Sequence, residues 1–396
     1  MLLTCSCRFF FLMLFLLGTL PGRAQTWEPY NELGDLYPSL AIAMMNMTND
    51  PDEADPTSLG DPNGVMGIHI KATRANTVVR LEMTCSTGLK LFDRATLEAT
   101  LPKAGEVYTL SPVVPFNQAL LASVRQTQSI FVTYRVSIDG KKQPDRTERL
   151  LVHPINECPF GFTDEADQYE SIDWMFAAYV NENHPQIERI LQTALKKKYV
   201  ESFAGYQGDE ADVYRQVLAV WRVLQERGIR YSSITTTVAE RDDVASQHVR
   251  LLDESLANTQ ANCADGSVLL ASILRKISIE PILVVVPGHM FIGFDLNEEG
   301  TKQAYLETTM LGTSADDIDL KQTAFARKML DTGTTDADEA AITRFVGAIQ
   351  AGNAAYAKSK SAIEKERDGY TLVRVSEARQ LGVLPIMYVG PVLAGK

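Results

Sequence analysis

Hydrophobic and polar residues alternate with a period of two in three runs between residues 64 and 160. Such alternation is typical of β-strands that bury one face. The apolar positions of the runs are Met66, Ile68, Ile70 and Ala72; Val79, Leu81, Met83 and Cys85; and Ile130, Val132, Tyr134, Val136 and Ile138. Gly, Pro and Asn residues separate these runs, as turns between strands require. We therefore expect an antiparallel β-sandwich over residues 64–160, with His69 on a solvent-facing side.

After Phe162 the hydrophobic period lengthens to that of an α-helix. Helical spacing is present over residues 173–181, 186–198 and 209–227, and Gly228 is a natural stop for the last of these. In residues 209–227 one apolar stripe contains Trp221, which we expect to be part of a core. Residues 336–365 are rich in Ala, Lys and Glu, which indicates an exposed amphipathic helix.

The segment before the first alternating run is polar and rich in Asn, Asp and Pro. Only residues 37–47 have the composition of a short helix. We expect residues 25–63 to form a loosely ordered lead-in segment.

The N-terminus carries an apolar run over residues 9–20, with Arg8 before it and Pro21-Gly22-Arg23-Ala24 after it. The run is shorter than the roughly 20 residues that span a bilayer. A basic residue, an apolar run and small residues in this order are typical of a signal peptide, here cleaved after Ala24. A retained signal anchor is the alternative. We expect a secreted or periplasmic protein with no stable membrane insertion after cleavage.

The chain has 396 residues, a net charge of −12 and 45% hydrophobic residues. This length and composition allow two or three domains with cores of their own. The acidic balance argues against nucleic acid as a partner. Of the cysteines, Cys85, Cys158 and Cys263 follow the predicted cleavage site. Cys85 and Cys158 form either a disulfide or two buried thiols, and Cys263 is then the odd thiol.

Cys263 opens a strongly apolar run that we expect to form a buried, rigid helix with Asn262 as its N-cap. The unpaired N–H groups of a helix N-terminus favour a thiolate and can also bind an oxyanion. The carboxylate of Asp265, in the same first turn, would oppose the thiolate if it pointed at the sulfur. We expect it to point away.

Two further residues complete a candidate catalytic group. His289 begins an alternating strand, and Glu307 ends the next. If the hairpin closes through residues 296–300 with Gly300 in a left-handed conformation, His289 pairs directly with Glu307. The same register pairs Phe291 with Tyr305 and Gly293 with Gln303. The carboxylate would then orient the imidazole and support an imidazolium beside the thiolate.

Cys263, His289 and the run Glu307-Thr308-Thr309 resemble the core of the transglutaminase-like cysteine-enzyme superfamily, which has a papain-like fold. The resemblance covers residues 173–312 and is sharpest over 262–309. It implies that Cys263 is the nucleophile, His289 the general base and Glu307 the third catalytic residue. The chain departs from the family in having Glu307-Thr308 where Asp-Pro is usual. It also has Phe291 in place of Trp and Ala261 in place of Gly.

The sequence thus predicts an α+β protein of the exported bacterial type. Its expected parts are a signal peptide over 1–24, the lead-in over 25–63, a β-sandwich over 64–160, a transglutaminase-like domain over 161–315 and a mostly helical extension over 316–396. The expected activity is attack on protein or peptide amides through a thioester, without metal or organic cofactor. Hydrolysis, as in a peptidase or amidase, is at least as strongly indicated as amine transfer. The alternative is a non-catalytic cell-envelope binding or scaffold protein with a vestigial core.

Overall fold

The computed structural model describes residues 26–48, 55–85, 88–164, 167–233, 243–333 and 335–390. The predicted signal peptide over residues 1–24 lies outside the described residues. In the part that is described, none of the helices combines the length and the apolar character needed to cross a membrane. The protein is a mixed α+β structure with several antiparallel sheets.

The secondary structure of the described residues comprises short strands and helices distributed along the whole chain. The strands are β1 Trp27–Asn31, β2 Ser58–Gly60, β3 Met66–Lys71, β4 Thr77–Cys85, β5 Arg94–Leu101, β6 Val107–Ser111, β7 Gln128–Ile138, β8 Lys141–Lys142, β9 Arg146–Val152, β10 Glu157–Thr163, β11 Tyr169–Ser171, β12 Arg230–Tyr231, β13 Val244–His248, β14 Gln260–Ala261, β15 Pro281–Val286, β16 His289–Asp295, β17 Gln303–Leu306 and β18 Thr371–Arg374. The α-helices are α1 Pro38–Met44, α2 Gln118–Ser123, α3 Pro185–Lys196, α4 Glu210–Glu226, α5 Leu252–Asn258, α6 Cys263–Lys276, α7 Ala324–Leu330, α8 Asp336–Ile363 and α9 Val375–Gln380. Short 3-10 helices occupy Asp173–Tyr179, Thr308–Gly312 and Ala315–Asp317.

The chain divides into two compact units. The first unit consists of Met1–Glu170, Glu240–Ala245 and Leu381–Lys396, and the second of Ser171–Ala239 and Ser246–Gln380. The first unit therefore includes the predicted sandwich residues 64–160. The second includes most of the predicted 161–315 domain together with residues 316–380 of the predicted extension.

Two larger sheets form the framework of the first unit. Their strand orders are β1-β3-β6-β2 and β5-β4-β7-β8, with β9 also paired to β7. The apolar positions predicted from the alternation are buried in β4 and β7, including Leu81 and Val136. All pairings in these sheets are antiparallel except one, because β2 runs parallel to β6.

Residues 26–48 and 55–63, the described part of the predicted lead-in over 25–63, are not loosely ordered as their polar composition suggested. Their strand β1 pairs with β3, from Trp27 opposite Ile70 to Asn31 opposite Met66. Their helix α1 is buried along its full length. The prediction was wrong because pairing with β3, far along the chain, decides the structure of this segment, and local composition carries no signal of such pairing.

The same pairing explains why the expectation for His69 was wrong. His69 is only 6% exposed, because its ring contacts Tyr30 of β1 and Thr109 of β6. Its Nδ1 lies 3.0 Å from Thr109 Oγ1. Burial lowers the pKa of His69 to about 4, so the ring is neutral at pH 7.

Of the two alternatives for Cys85 and Cys158, the structure shows two buried thiols. The two residues form no disulfide with each other. The Cys85 Sγ donates to Leu89 O at 3.5 Å, and the Cys158 Sγ to Pro159 O at 3.8 Å. A buried thiol behaves as a small apolar side chain, which fits both positions.

The second unit contains a four-stranded antiparallel sheet in the order β17-β16-β15-β18. Helix α6 packs on β15 and β16. The other face of the sheet contributes Phe291 and Tyr305 to a core that includes Tyr356 of helix α8. Trp221 of α4 is fully buried, as predicted, and its ring contacts Phe345 edge to face.

Residues 316–380 are part of this packing. Helix α8 agrees closely with the predicted helix over 336–365, but the expectation that it is exposed was wrong, because Ile342, Phe345 and Ile349 are buried. Strand β18 completes the sheet by pairing with β15. Its four residues are too short a run to reveal a strand from the sequence.

Helix α8 also lies along the free edge of β17. The backbone N–H of Tyr305 donates to Asn353 Oδ1 at 3.0 Å, and that of Glu307 donates to Ala348 O at 3.0 Å. Gly352 makes this approach possible, because a Cβ there would lie 2.4 Å from the Leu306 nitrogen. The edge that leads to Glu307 is thus held by a helix.

Candidate active site

Cys263 is the first residue of helix α6, as predicted. Asn262 is the N-cap, and its Oδ1 accepts from the Asp265 N–H at 2.8 Å. The Asp265 Oδ2 accepts in turn from the Asn262 N–H at 2.8 Å. This reciprocal capping box fixes where the helix begins. Cys263 itself is partly exposed, so its sulfur is accessible to a reactant.

The body of α6 gives Cys263 a rigid support. Its apolar residues are almost all buried, and Ser267 Oγ donates to the Cys263 carbonyl at 2.7 Å. Gly266 lets the 3-10 helix Thr308–Gly312 approach closely, because a Cβ at Gly266 would lie 3.0 Å from the Thr308 side chain. The helix that carries the thiol and the residue after Glu307 are therefore packed directly together.

Asp265 points away from the Cys263 thiol, in agreement with the prediction. It is fully buried, and its Oδ1 accepts from the Arg250 backbone N–H at 2.7 Å. Its Oδ2 lies 2.6 Å from Arg250 Nη1. The negative charge is thus neutralised by a buried guanidinium. Sequence reasoning missed Arg250, which lies in a polar stretch without periodicity; the only available signal was an acid at the start of a buried helix that needs a cation.

His289 and Glu307 contact each other directly. The His289 Nε2 lies 2.7 Å from Glu307 Oε2. Since this bond occupies Nε2, Nδ1 is the ring nitrogen left for Cys263, whose side chain is close enough to raise the pKa of His289. The structure therefore brings together all three residues that the sequence singled out, with the imidazole in the middle.

The register that produces this contact differs from the predicted one by two residues. The hairpin does close with Gly300 in a left-handed conformation, at φ 63°. However, Gly293 pairs with Tyr305, where Gln303 was expected. Side chains alternate faces with a period of two, so a two-residue shift keeps His289 and Glu307 on one face as diagonal neighbours. The shift arises because the loop is longer than assumed and Leu296 N–H bonds to Lys302 O at 2.8 Å.

Glu307 is held from two sides. It is the N-cap of the 3-10 helix Thr308–Gly312, and its Oε1 accepts from the Thr309 N–H at 3.1 Å and from Thr309 Oγ1 at 2.7 Å. The other oxygen, Oε2, is directed at His289. Thr309 thus orients the carboxylate, a role that sequence reasoning did not assign. The signal was present as a Thr two residues after an acid, the spacing of an Asx-like turn.

The protonation of the pair follows from these contacts. The neighbouring Cys263 side chain and the hydrogen bond to Glu307 raise the pKa of His289 to about 10, against the opposing effect of desolvation. Burial alone would raise the pKa of Glu307, but the hydrogen bonds from His289 and Thr309 outweigh it and leave that pKa below its usual value. The imidazolium and the carboxylate therefore coexist at neutral pH.

The short strand β14 leads into the candidate nucleophile. It pairs in parallel with β12, with Tyr231 opposite Ala261 and Arg230 opposite Gln260. Tyr231 is 49% exposed, so it is available to a bound molecule. Within the described ranges, no group of three or more His, Cys, Asp and Glu residues is arranged to hold a metal ion.

No protein-family model matches the chain, and no curated protein sequence matches it.

Proposed function

We propose that this protein is an exported transglutaminase-like cysteine enzyme that attacks protein or peptide amides. In this proposal Cys263 is the nucleophile, His289 the general base and acid, and Glu307 the residue that orients the imidazole. The observation that carries the proposal is the single imidazole of His289, whose Nε2 lies 2.7 Å from Glu307 Oε2 and whose pKa is raised by the neighbouring Cys263 side chain. Such a relay is what an activated thiol requires.

The first step is formation of a tetrahedral intermediate. In the reactive ion pair the His289 imidazole already carries the proton, and the Cys263 thiolate attacks the amide carbon so that a C–S bond forms while the carbonyl oxygen becomes an oxyanion. The first N–H groups of a helix have no intrahelical acceptors. Asn262 takes that of Asp265, so those of Cys263 and Ala264 are the donors for the oxyanion.

The second step breaks the amide bond. His289 returns its proton to the leaving nitrogen, the C–N bond breaks, and a thioester to Cys263 remains. Water or an amine then attacks the thioester, and the now neutral His289 takes a proton from the attacker as the C–S bond breaks, which restores the Cys263–His289 pair. Attack by water completes a hydrolysis, and attack by an amine completes an amine transfer.

A papain-like core is the finer fold that this proposal includes. It is supported by the order of elements in the second unit: a helix that begins at Cys263, packed on an antiparallel sheet whose neighbouring strands β16 and β17 lead to His289 and Glu307. Glu307 follows the end of β17 and caps the next 3-10 helix. It still contacts the His289 ring, because a register shift of two residues keeps both side chains on one face.

Thiol labelling tests whether Cys263 is activated. Iodoacetamide at neutral pH should modify wild-type Cys263 within minutes, and His289→Ala should slow that modification, with the labelled residue identified by mass spectrometry. Cys263→Ala is the matched control, since it retains the buried thiols of Cys85 and Cys158. Slow labelling that is indifferent to His289 would support a non-catalytic binding or scaffold protein and contradict the enzyme.

A substrate screen tests the reaction itself. Glutamine- and asparagine-containing peptides are incubated with the protein in the presence and absence of a primary amine. Release of ammonia or of a cleaved peptide without added amine shows hydrolysis, and incorporation of the amine shows transfer. Both activities should be absent from Cys263→Ala. Turnover that persists in that variant would rule out the thioester route.

A further inference from the structure

The Thr308 hydroxyl is buried against the first turn of helix α6. Its Oγ1 lies 3.5 Å from the Cys263 carbonyl oxygen and 3.4 Å from Ser267 Oγ. Thr308 is 3% exposed and Ser267 is fully buried, so both hydroxyls are shielded from bulk water. Among the described residues, these two oxygens are the hydrogen-bond neighbours of the Thr308 hydroxyl.

The direction of these hydrogen bonds follows from the number of protons. Each hydroxyl has one proton to donate. Ser267 donates its proton to the Cys263 carbonyl at 2.7 Å. The Thr308 hydroxyl is therefore the donor in both of its contacts, and its proton is shared between Ser267 Oγ and the Cys263 carbonyl. Such a long three-centre bond adds little stability, but it restricts the direction of the carbonyl.

The side chain of Thr308 is also held sterically. Gly266 leaves room for it, because a Cβ at Gly266 would lie 3.0 Å from both Thr308 Cβ and Thr308 Oγ1. The two heavy atoms on the Cβ of a threonine make its χ1 angle stiff. The contact between α6 and the Thr308 side chain therefore fixes where the hydroxyl points.

The 3-10 helix that begins at Thr308 is anchored to two other elements. At its end, Gly312 packs on Arg230 of β12, where a Cβ at Gly312 would lie 3.0 Å from Arg230 Cα. Just before its start, the Glu307 N–H donates to Ala348 O of α8 at 3.0 Å. Thr308 thus holds the first turn of α6 from a separate element that is itself fixed.

The Cys263 carbonyl determines the direction of a neighbouring N–H group. A peptide unit is planar and trans, so the C=O of Cys263 and the N–H of Ala264 point in opposite directions within one plane. In the proposed function the Ala264 N–H is one of the donors for the oxyanion. A side chain that holds the carbonyl therefore also aims this donor.

We infer that Thr308 is a positioning residue of the proposed active site. Through the Cys263 carbonyl it fixes the peptide plane between Cys263 and Ala264, and it thereby aims the Ala264 N–H at the oxygen that becomes the oxyanion. The inference rests on the proposed function and deepens it, since Thr308 acts through the backbone and not on the reacting atoms.

Two reagents that react with the same sulfur test the inference. p-Nitrophenyl acetate acylates a thiolate through a tetrahedral intermediate that carries an oxyanion, after which the C–O bond breaks and p-nitrophenolate leaves. Iodoacetamide alkylates the thiolate by displacement of iodide, and no oxyanion forms. In Thr308→Val, acylation of Cys263 should slow roughly tenfold or more, which is part of the roughly 10²–10³ that a whole oxyanion donor contributes. Alkylation should stay within about twofold of wild type, because it does not use that donor.

Further variants separate the hydroxyl from general damage. Thr308→Ser keeps the hydroxyl and should restore most of the acylation rate. Thr193→Val is the matched control, because the Thr193 hydroxyl also donates to a helix carbonyl of the same unit, Arg189 O at 2.7 Å, and both rates should stay at their wild-type values. Cys263→Ala gives the background rate of each reagent. Thermal melting checks that each variant is folded, and Thr308→Ala takes the place of Thr308→Val if the latter does not fold.

The possible outcomes separate the inference from the proposed function. Equal acylation rates in Thr308→Val and wild type would overturn the inference, and so would equal losses in Thr308→Val and Thr308→Ser. A fall in alkylation as large as the fall in acylation would also overturn it, because the thiol itself would then be displaced. Alkylation of wild-type Cys263 no faster than that of an ordinary thiol would instead contradict the proposed function, and the inference with it, before any variant is compared.

Discussion

His289 and Glu307 of the second unit and His69 and Glu32 of the first unit are the same two residue types in opposite electrostatic states. His289 has its pKa raised to about 10, and His69 has its pKa lowered to about 4. His69 is only 6% exposed, whereas the His289 side chain is 33% exposed. His289 also has a carboxylate partner at 2.7 Å and a neighbouring thiol, whereas desolvation dominates at His69.

The carboxyl groups of Glu307 and Glu32 also differ in the direction of their pKa shifts. The pKa of Glu307 lies below its usual value because His289 and Thr309 outweigh the effect of burial, and burial raises the pKa of Glu32 to about 8. Partners therefore decide whether a buried group in this protein is charged. In one region the charges are already paired. In the other, desolvation decides the state of both groups.

Removal of the His289 imidazole should have the largest effect on the Cys263 group. In His289→Ala the amide-cleaving activity should fall about 10⁴-fold, the upper range for a residue that transfers protons. The measurement is kcat/KM on the best peptide of the screen, with added imidazole as a rescue. Recovery of part of the rate with imidazole would separate lost chemistry from lost structure. Activity within a few-fold of wild type would contradict the proposed role.

Asp265 extends the comparison to a buried acid whose partner is an arginine. Asp265→Asn would leave the Arg250 guanidinium buried and uncompensated, at a cost of about 3–5 kcal/mol in the free energy of unfolding. The control is Glu210→Gln, which removes one member of the exposed pair with Lys302 and should cost about 0–1 kcal/mol. Denaturant unfolding measures both. Equal losses in the free energy of unfolding would show that the buried Arg250–Asp265 pair stabilises the fold no more than the exposed pair does.

Neutralising Glu307 should bring the pKa of His289 closer to the low pKa of His69. Glu307→Gln removes a hydrogen bond to a charged acceptor and the attraction of the carboxylate, so the pKa of His289 should fall from about 10. His289 is then protonated up to a lower pH than in the wild type, which NMR titration of the ring detects. The amide-cleaving rate should fall about 10- to 100-fold, and Glu307→Asp should restore part of it. An unchanged His289 titration would remove Glu307 from the relay.

The smallest expected effect concerns the pH dependence of stability. Because the folded-state pKa of Glu32 is raised from 4.5 to about 8, the folded protein holds this proton more tightly than the unfolded chain. Its stabilising contribution is full below about pH 4.5 and is lost as the pH rises through 8. Glu32→Gln should therefore be more stable than the wild type at pH 8 by about 1 kcal/mol, and by less at pH 5. A difference that does not change with pH would contradict the burial of an unpartnered carboxyl.

The sequence predicted features that depend on neighbouring residues. The alternation in β4 and β7, the buried stripe of α4 and the N-cap at Asn262 all follow from local patterns, and the structure confirms them. The candidate group was found because Cys, His and Glu each open or end an element. The observed register differs from the predicted one by two residues. Because side chains alternate with a period of two, His289 and Glu307 still lie on the same face of the sheet.

Long-range pairing could not be predicted from the sequence. Strand β1 pairs with β3 across residues 32–65, and β18 pairs with β15 across more than eighty residues. Neither strand has a pattern that distinguishes it from a loop. The Arg250–Asp265 ion pair could not be predicted for the same reason, because only the folded chain brings the Arg250 guanidinium to the N-terminus of α6.

The contact of helix α8 with strand β17 restricts how a peptide can approach. An exposed sheet edge ordinarily offers free amides to which another chain can add as a further strand. Here the outward amides of Tyr305 and Glu307 are already bonded to α8, and Gly352 leaves no gap for an intruding backbone. If the proposed function is correct, a peptide substrate must therefore bind through side chains or through another stretch of backbone. The occupied edge also cannot pair with a second copy of the chain.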